Sequence, residues 1–156
     1  GYMKFFELVR KYNHIKYKIS SKINEENELR ELGQLPKVDY GGMPGSPGYH
    51  GSPTESFVIR LDQIQQDQKE LNKQLEEVRN DIVLFIDTLD DYFARRCVEM
   101  VIFRTTHRPN WKEVARRIGY SESGTRSLYS SSTKKLQNLE KEELKNWVTL
   151  KIMKES

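Results

Sequence analysis

Ten residues of this chain, Phe57, Leu61, Ile64, Gln68, Leu71, Leu75, Val78, Ile82, Phe85 and Leu89, stand alternately four and three apart. Only a helix brings positions so spaced onto one face, and all but Gln68 are apolar. Over about 33 residues such a helix runs roughly 50 Å. A seam sustained for almost five heptads predicts a coiled coil. Phe57, Leu61, Ile64, Gln68, Leu71, Leu75, Val78 and Ile82 are therefore the candidate oligomerisation residues. Gln68 weakens the seam and helps to fix its register or oligomer state. The same seam also suits an antiparallel hairpin within one chain, and hairpins can associate through their second faces.

The partner for such a hairpin lies upstream. Between Lys4 and Leu32 the apolar residues Phe5, Leu8, Tyr12, Ile15, Ile19 and Ile23 recur at spacings of three and four, with Lys4, Arg10, Lys11, Lys16, Lys18 and Lys22 outside them. This predicts an amphipathic helix with a basic outer face, stopped by Gly33. From Gly33 to Pro53 come six of the nine glycines and four of the five prolines. Neither helix nor strand tolerates that density, so a flexible loop is expected over 33–53, with Tyr40, Met43 and Tyr49 able to order it as a clamp. Thr54 then opens the long helix, capped by Ser52 or by itself.

Charge divides the chain. Residues 57–90 hold eight acids against four bases, and residues 91–139 hold ten bases against four acids. The overall charge of +3 hides this asymmetry, which is expected if only the C-terminal half meets a polyanion. A single cysteine, Cys97, points to a reducing, cytoplasmic setting. No apolar run approaches membrane-span length and no signal peptide is expected. Gly1 and Tyr2, ahead of Met3, are given no weight.

After Leu89 the seam breaks. Asp91 can cap a short helix whose residues Tyr92, Phe93, Cys97, Met100, Val101 and Phe103 are strongly apolar, and Cys97 reads as a small core residue. Arg104 to Pro109 form a basic connector. The stretch 110–136, NWKEVARRIGYSESGTRSLYSSSTKKL, follows. Asn110 can cap a helix, with Glu113 completing a capping-box pair. Val114, Ala115 and Ile118 share one face, and Gly119 suits a left-handed terminus. Ser121 can cap a second helix with Thr125, Leu128, Ser132 and Leu136 inward. Two short helices joined by a tight turn have the layout of a helix-turn-helix, whose second helix enters the DNA major groove. Beyond Leu136 the mix of Leu139, Leu144, Trp147, Val148, Leu150 and Ile152 with Lys and Glu predicts that this helix continues or restarts.

The expected architecture is thus all-α. A helical hairpin or coiled coil occupies 3–89, and a helix-turn-helix domain with a C-terminal helix occupies 90–156. Double-stranded DNA is the expected partner. Arg108, Lys112, Arg116, Arg117, Lys134 and Lys135 are assigned to phosphate contacts. Base reading falls to Glu122, Ser123, Arg126, Ser127, Ser130 and Ser131, with Arg126 the candidate for a bidentate guanine contact. Gly124 costs about 1 kcal/mol relative to Ala in a helix, which either close contact with phosphate or a loose helix terminus would explain. No metal or cofactor is expected, because three scattered histidines and one cysteine offer no ligand spacing and the glycine runs lack a P-loop lysine. With Glu76-Glu77 and Asp90-Asp91 placed on solvated helix surface, an enzyme is not expected.

The stretch resembles the W-x-x-[IV]-A-x-x-[ML]-G-Y-S-x-x-x-V-x-R-L-x-x-x-A-L-x-x-L pattern of phage late-transcription activators of the RinA/ArpU type, whose C-terminal part is similar to region four of sigma factors. Trp111, Val114, Ala115, Ile118, Gly119, Tyr120, Ser121, Leu128 and Leu136 carry the likeness. The upstream helix, the Gly/Ser/Pro segment and a long helix ending I-D-x-L-D-D extend it to roughly residues 12–139. Thr125 stands where an apolar residue is usual and Ser132-Thr133 where Ala-Leu is usual, which predicts a less firmly packed second helix.

The resemblance implies a sequence-specific, oligomeric promoter-binding protein of a phage or prophage. It would switch on packaging, structural or lysis genes, with host RNA polymerase a further partner. Two other functions fit the pattern. One is a small terminase subunit, although its DNA-binding unit would be expected first in the chain. The other is a protein-interaction module that binds RNA polymerase or another regulator without DNA.

Overall fold

The computed structural model describes residues 2–34 and 53–155, which form α-helices and no strand. In chain order they are α1 (Phe5–Gln34), α2 (Pro53–Asp87), α3 (Tyr92–Ile102), α4 (Trp111–Ile118), α5 (Glu122–Gln137) and α6 (Lys141–Glu155). The all-α class is as expected from the periodicity. The predicted loop falls largely outside the described residues, and its two ends belong to helices instead. Gly33 does not stop α1. Its value is space, since a Cβ there would stand 2.5 Å from the Phe57 ring. Pro53, rather than Thr54, begins α2, in keeping with proline's tolerance of a first helical turn.

The chain divides into two compact units, Asn13–Glu76 and the combination of Gly1–Tyr12 with Glu77–Ser156. The division runs through α1 and α2 rather than between residues 89 and 90, because one end of each long helix packs with the C-terminal helices.

Within residues 13–76, α1 and α2 meet in opposite directions. Gln65 Nε2 donates to Glu26 Oε1 at 3.3 Å, and Lys22 Nζ lies 3.3 Å from Asp67 Oδ2. Gln68 Nε2 donates to the Lys22 carbonyl at 3.4 Å. Ile15 and Ile64 are buried, while Phe57, Leu61, Gln68, Leu71 and Leu75 are half-buried. The four-three seam is therefore covered, in part, within one chain.

In the other unit α3, α4 and α5 each pack on the other two. Cys97, Val101, Val114 and Ile118 form their shared core, with Met100, Trp111, Leu128 and Tyr129 against it. Burial pushes the Cys97 thiol up to about 11. The helix ends join this core by specific contacts. Tyr12 meets the Phe103 ring edge-on at 5.4 Å, and the Arg79 guanidinium lies 4.3 Å from the same ring. Gln137 Oε1 accepts from the Phe6 backbone N–H at 2.8 Å. Val78 and Ile82, the last two candidate oligomerisation residues, are buried here. Tyr2, given no weight from its position, donates its hydroxyl to the Leu139 carbonyl at 2.8 Å and stacks on Phe85.

The helix after α5 restarts rather than continues. Asn138 caps α5, and α6 buries none of its residues completely. Lys151 holds it to the end of α2 through Asp87 at 3.2 Å and lies 5.0 Å from the Trp147 ring. Among the described residues no helix is long and apolar enough to cross a membrane.

Candidate nucleic-acid interface

Local chemistry sets the ends of the three short helices. The Asp91 carboxylate accepts from Phe93 N at 3.0 Å and starts α3. Asn110 Oδ1 accepts from Glu113 N at 3.2 Å and starts α4. Gly119 adopts φ 75°, the left-handed region that favours glycine, and ends α4. Ser121 Oγ accepts from Gly124 N at 3.0 Å and starts α5. Two residues, Tyr120 and Ser121, separate Gly119 from the first residue of α5. Arg104 ties down the connector ahead of α4 by donating to the Val101 carbonyl at 2.7 Å and the His107 carbonyl at 3.1 Å. That makes it a brace for the turn, a role its place in a basic run does not reveal.

The expectation of a loosely packed α5 is overturned. Thr125, Ser132, Thr133 and Leu136 are all buried. Thr125 Oγ1 donates back to the Ser121 carbonyl at 2.7 Å, and Thr133 Oγ1 to the Tyr129 carbonyl at 2.8 Å. A threonine whose hydroxyl is satisfied by its own helix presents a methyl group to the core, so it can stand in for an apolar residue. At Gly124 a Cβ would lie 2.9 Å from Ser121 Oγ, so a larger residue there requires the capping hydroxyl to shift.

Opposite this buried stripe, helical geometry places Ser123, Ser127, Ser130 and Lys134 together, and all four are exposed. Arg126 and Glu122 lie to one side of them, next to α4. The Arg126 guanidinium is 5.3 Å from the Trp111 ring and pairs with Glu122 at 3.5 Å. Ser131 and Lys135 lie on the other side, lining a groove with Asp90, Asp91 and Glu143. The predicted base-reading and phosphate residues of α5 thus form a central strip with two flanks, and Lys135 is on the acidic flank.

On α4, Lys112, Arg116 and Arg117 are exposed, as is Arg108 just before it. The capping box is only half made. The Glu113 backbone N–H donates to Asn110 Oδ1, and its carboxylate takes both arginines. Arg116 Nη2 and Nε donate to it at 2.6 and 3.1 Å, and Arg117 Nε at 2.9 Å. These charge-assisted bonds hold the Glu113 carboxyl at about 2, well below the usual carboxylate range.

Tyr92 and Phe93, counted among the apolar residues of α3, are exposed, and Phe93 lies 5.9 Å from the exposed Tyr120. The residues that do bury α3 are Ala94, Cys97, Val98, Val101 and Ile102. Among the described residues no cluster of His, Cys, Asp and Glu could hold a metal ion.

No protein-family model, curated protein or solved structure matches this chain.

Proposed function

We propose that the protein is a sequence-specific DNA-binding transcription regulator of a phage or prophage, activating late genes as a dimer or higher oligomer. The α4–α5 pair acts as a helix-turn-helix, with α5 entering the major groove and α3 supporting it. The observation that carries this reading is the pairing of a glycine-ended, capped two-helix turn with an outward α5 face that bears only small polar side chains and Lys134. Serines at the centre of that strip allow the helix backbone to approach the base edges closely. Arg126, anchored beside Trp111, reads a guanine from the flank. Lys112, Arg108 and Lys134 contact phosphates.

The α1–α2 pair is an antiparallel hairpin. Its seam is only partly covered within the chain, and Phe57, Leu61, Leu71 and Leu75, half-buried there, leave apolar surface for association between copies. Such pairing would set the spacing of two half-sites.

A shift assay on the DNA upstream of the protein's own coding region, run over a salt series, tests the proposal. Binding with a sequence preference and a steep loss of affinity with salt is the expected result. Absence of binding at low salt overturns it. The exposed Tyr92, Phe93 and Tyr120 favour a second reading, a module that docks on RNA polymerase or another regulator without DNA. Retained promoter activity in a variant that has lost DNA binding would support that alternative.

A further inference from the structure

We infer that Glu113 is an intramolecular competitor for the DNA backbone: its carboxylate occupies Arg116 and Arg117 in the free protein, and a phosphate must displace it before either arginine makes contact. The inference rests on the DNA-binding reading and concerns the regulation of that same surface.

Three donor atoms from the two arginines converge on this one side chain, two of them as a bidentate pair from Arg116. Bidentate pairing is also the geometry by which a guanidinium takes a phosphate, so carboxylate and phosphate compete for the same donors. The carboxylate is not needed to cap α4, because Asn110 Oδ1 is bonded to the Glu113 backbone N–H. Removing its charge therefore leaves the Asn110 cap bond in place. Arg126 is held in a weaker version of the same arrangement by Glu122, at 3.5 Å.

The consequence falls on affinity and its salt dependence. Phosphate contacts strengthen binding to every sequence alike, whereas the α5 strip acts only on the right one. An internal anion that occupies two phosphate-contacting arginines lowers affinity for every sequence by the same factor and leaves the ratio between sites unchanged.

The test compares wild type, Glu113→Gln and Glu25→Gln on the upstream duplex and on a scrambled duplex of equal length, over a salt series. Glu25→Gln makes the same charge change in the Asn13–Glu76 unit. Glu113→Gln is expected to tighten binding to both duplexes severalfold at low salt. Its salt dependence should steepen by about one to two phosphate contacts, each contributing a slope of about −0.9. Its preference for the upstream duplex should stay that of the wild type, and Glu25→Gln should match wild type in affinity and slope. Unchanged affinity and slope in Glu113→Gln, or equal changes in Glu25→Gln, overturn the inference while leaving DNA binding intact. A wild-type protein that binds neither duplex overturns the DNA-binding reading, and the inference with it.

Discussion

In the α3–α5 core, Cys97, Val101, Val114 and Ile118 are closed off by three helices. Between residues 13 and 76 the long helices α1 and α2 bury only Ile15 and Ile64 among the described residues, and Phe57, Leu61, Leu71 and Leu75 keep one side in solvent. The seam of α2 is longer and far more regular than any pattern in α3–α5. Regularity nevertheless does not become burial. Two helices cover a stripe, and a third is needed to close it into a core. The shorter helices, marginal as isolated peptides, gain their stability from this closure.

The largest test of that contrast is a pair of truncations. Ile118→Ala removes a side chain enclosed on all sides and should cost about 3 kcal/mol in chemical denaturation. Leu71→Ala, on the half-open seam, should cost only about 1 kcal/mol. Equal losses would show that the seam is as well enclosed as the core. Asn110→Ala sharpens the comparison at the next scale. Loss of the α4 cap should lower stability by about 1 kcal/mol without changing the oligomeric state, as read by denaturation and light scattering.

Gln68→Leu addresses the seam directly. The existing bond to the Lys22 carbonyl is long, at 3.4 Å, and the carbonyl belongs to a helix. An apolar side chain should therefore raise stability by about 0.5–1 kcal/mol. A loss instead would show that the glutamine fixes the α1–α2 register.

The smallest effect is one of pH. The folded-state Glu113 carboxyl is held at about 2, below its ordinary 4.5, by Arg116 and then Arg117. Its contribution is thus fully present above 4.5 and is lost as pH falls through about 2. An acid series of melting temperatures should show a shallower decline in Glu113→Gln than in wild type over that window. Identical declines would mean that the ion pairs add nothing to stability, as is common at exposed sites.

Much of this molecule was legible from spacing alone. Asp91, Asn110 and Ser121 act as caps, and Gly119 takes the left-handed turn, because capping and backbone sterics depend on residues within one turn of each other. The inward residues of α4 followed from helical period for the same reason. Other expectations failed where a side chain's neighbour comes from its own backbone or a different helix. Thr125 and Thr133 read as polar interruptions until their hydroxyls are seen bonded to the preceding turn. Tyr92 and Phe93 count among the apolar residues of α3, and the direction of α3 against α4 and α5 leaves them outside. Glu113 fits a capping box equally well on sequence, and the choice between cap and arginine pair is a matter of rotamer.

By itself the sequence determined an all-helical chain, the positions of its short helices and the basic character of the region around α4. Those properties follow from periodicity, backbone preference and charge, all of which act locally. The tertiary structure alone decided that the α2 seam is covered in part within the chain and that Tyr2 is part of the packing. Each of these depends on which surfaces meet, and residue spacing along a chain carries no record of that.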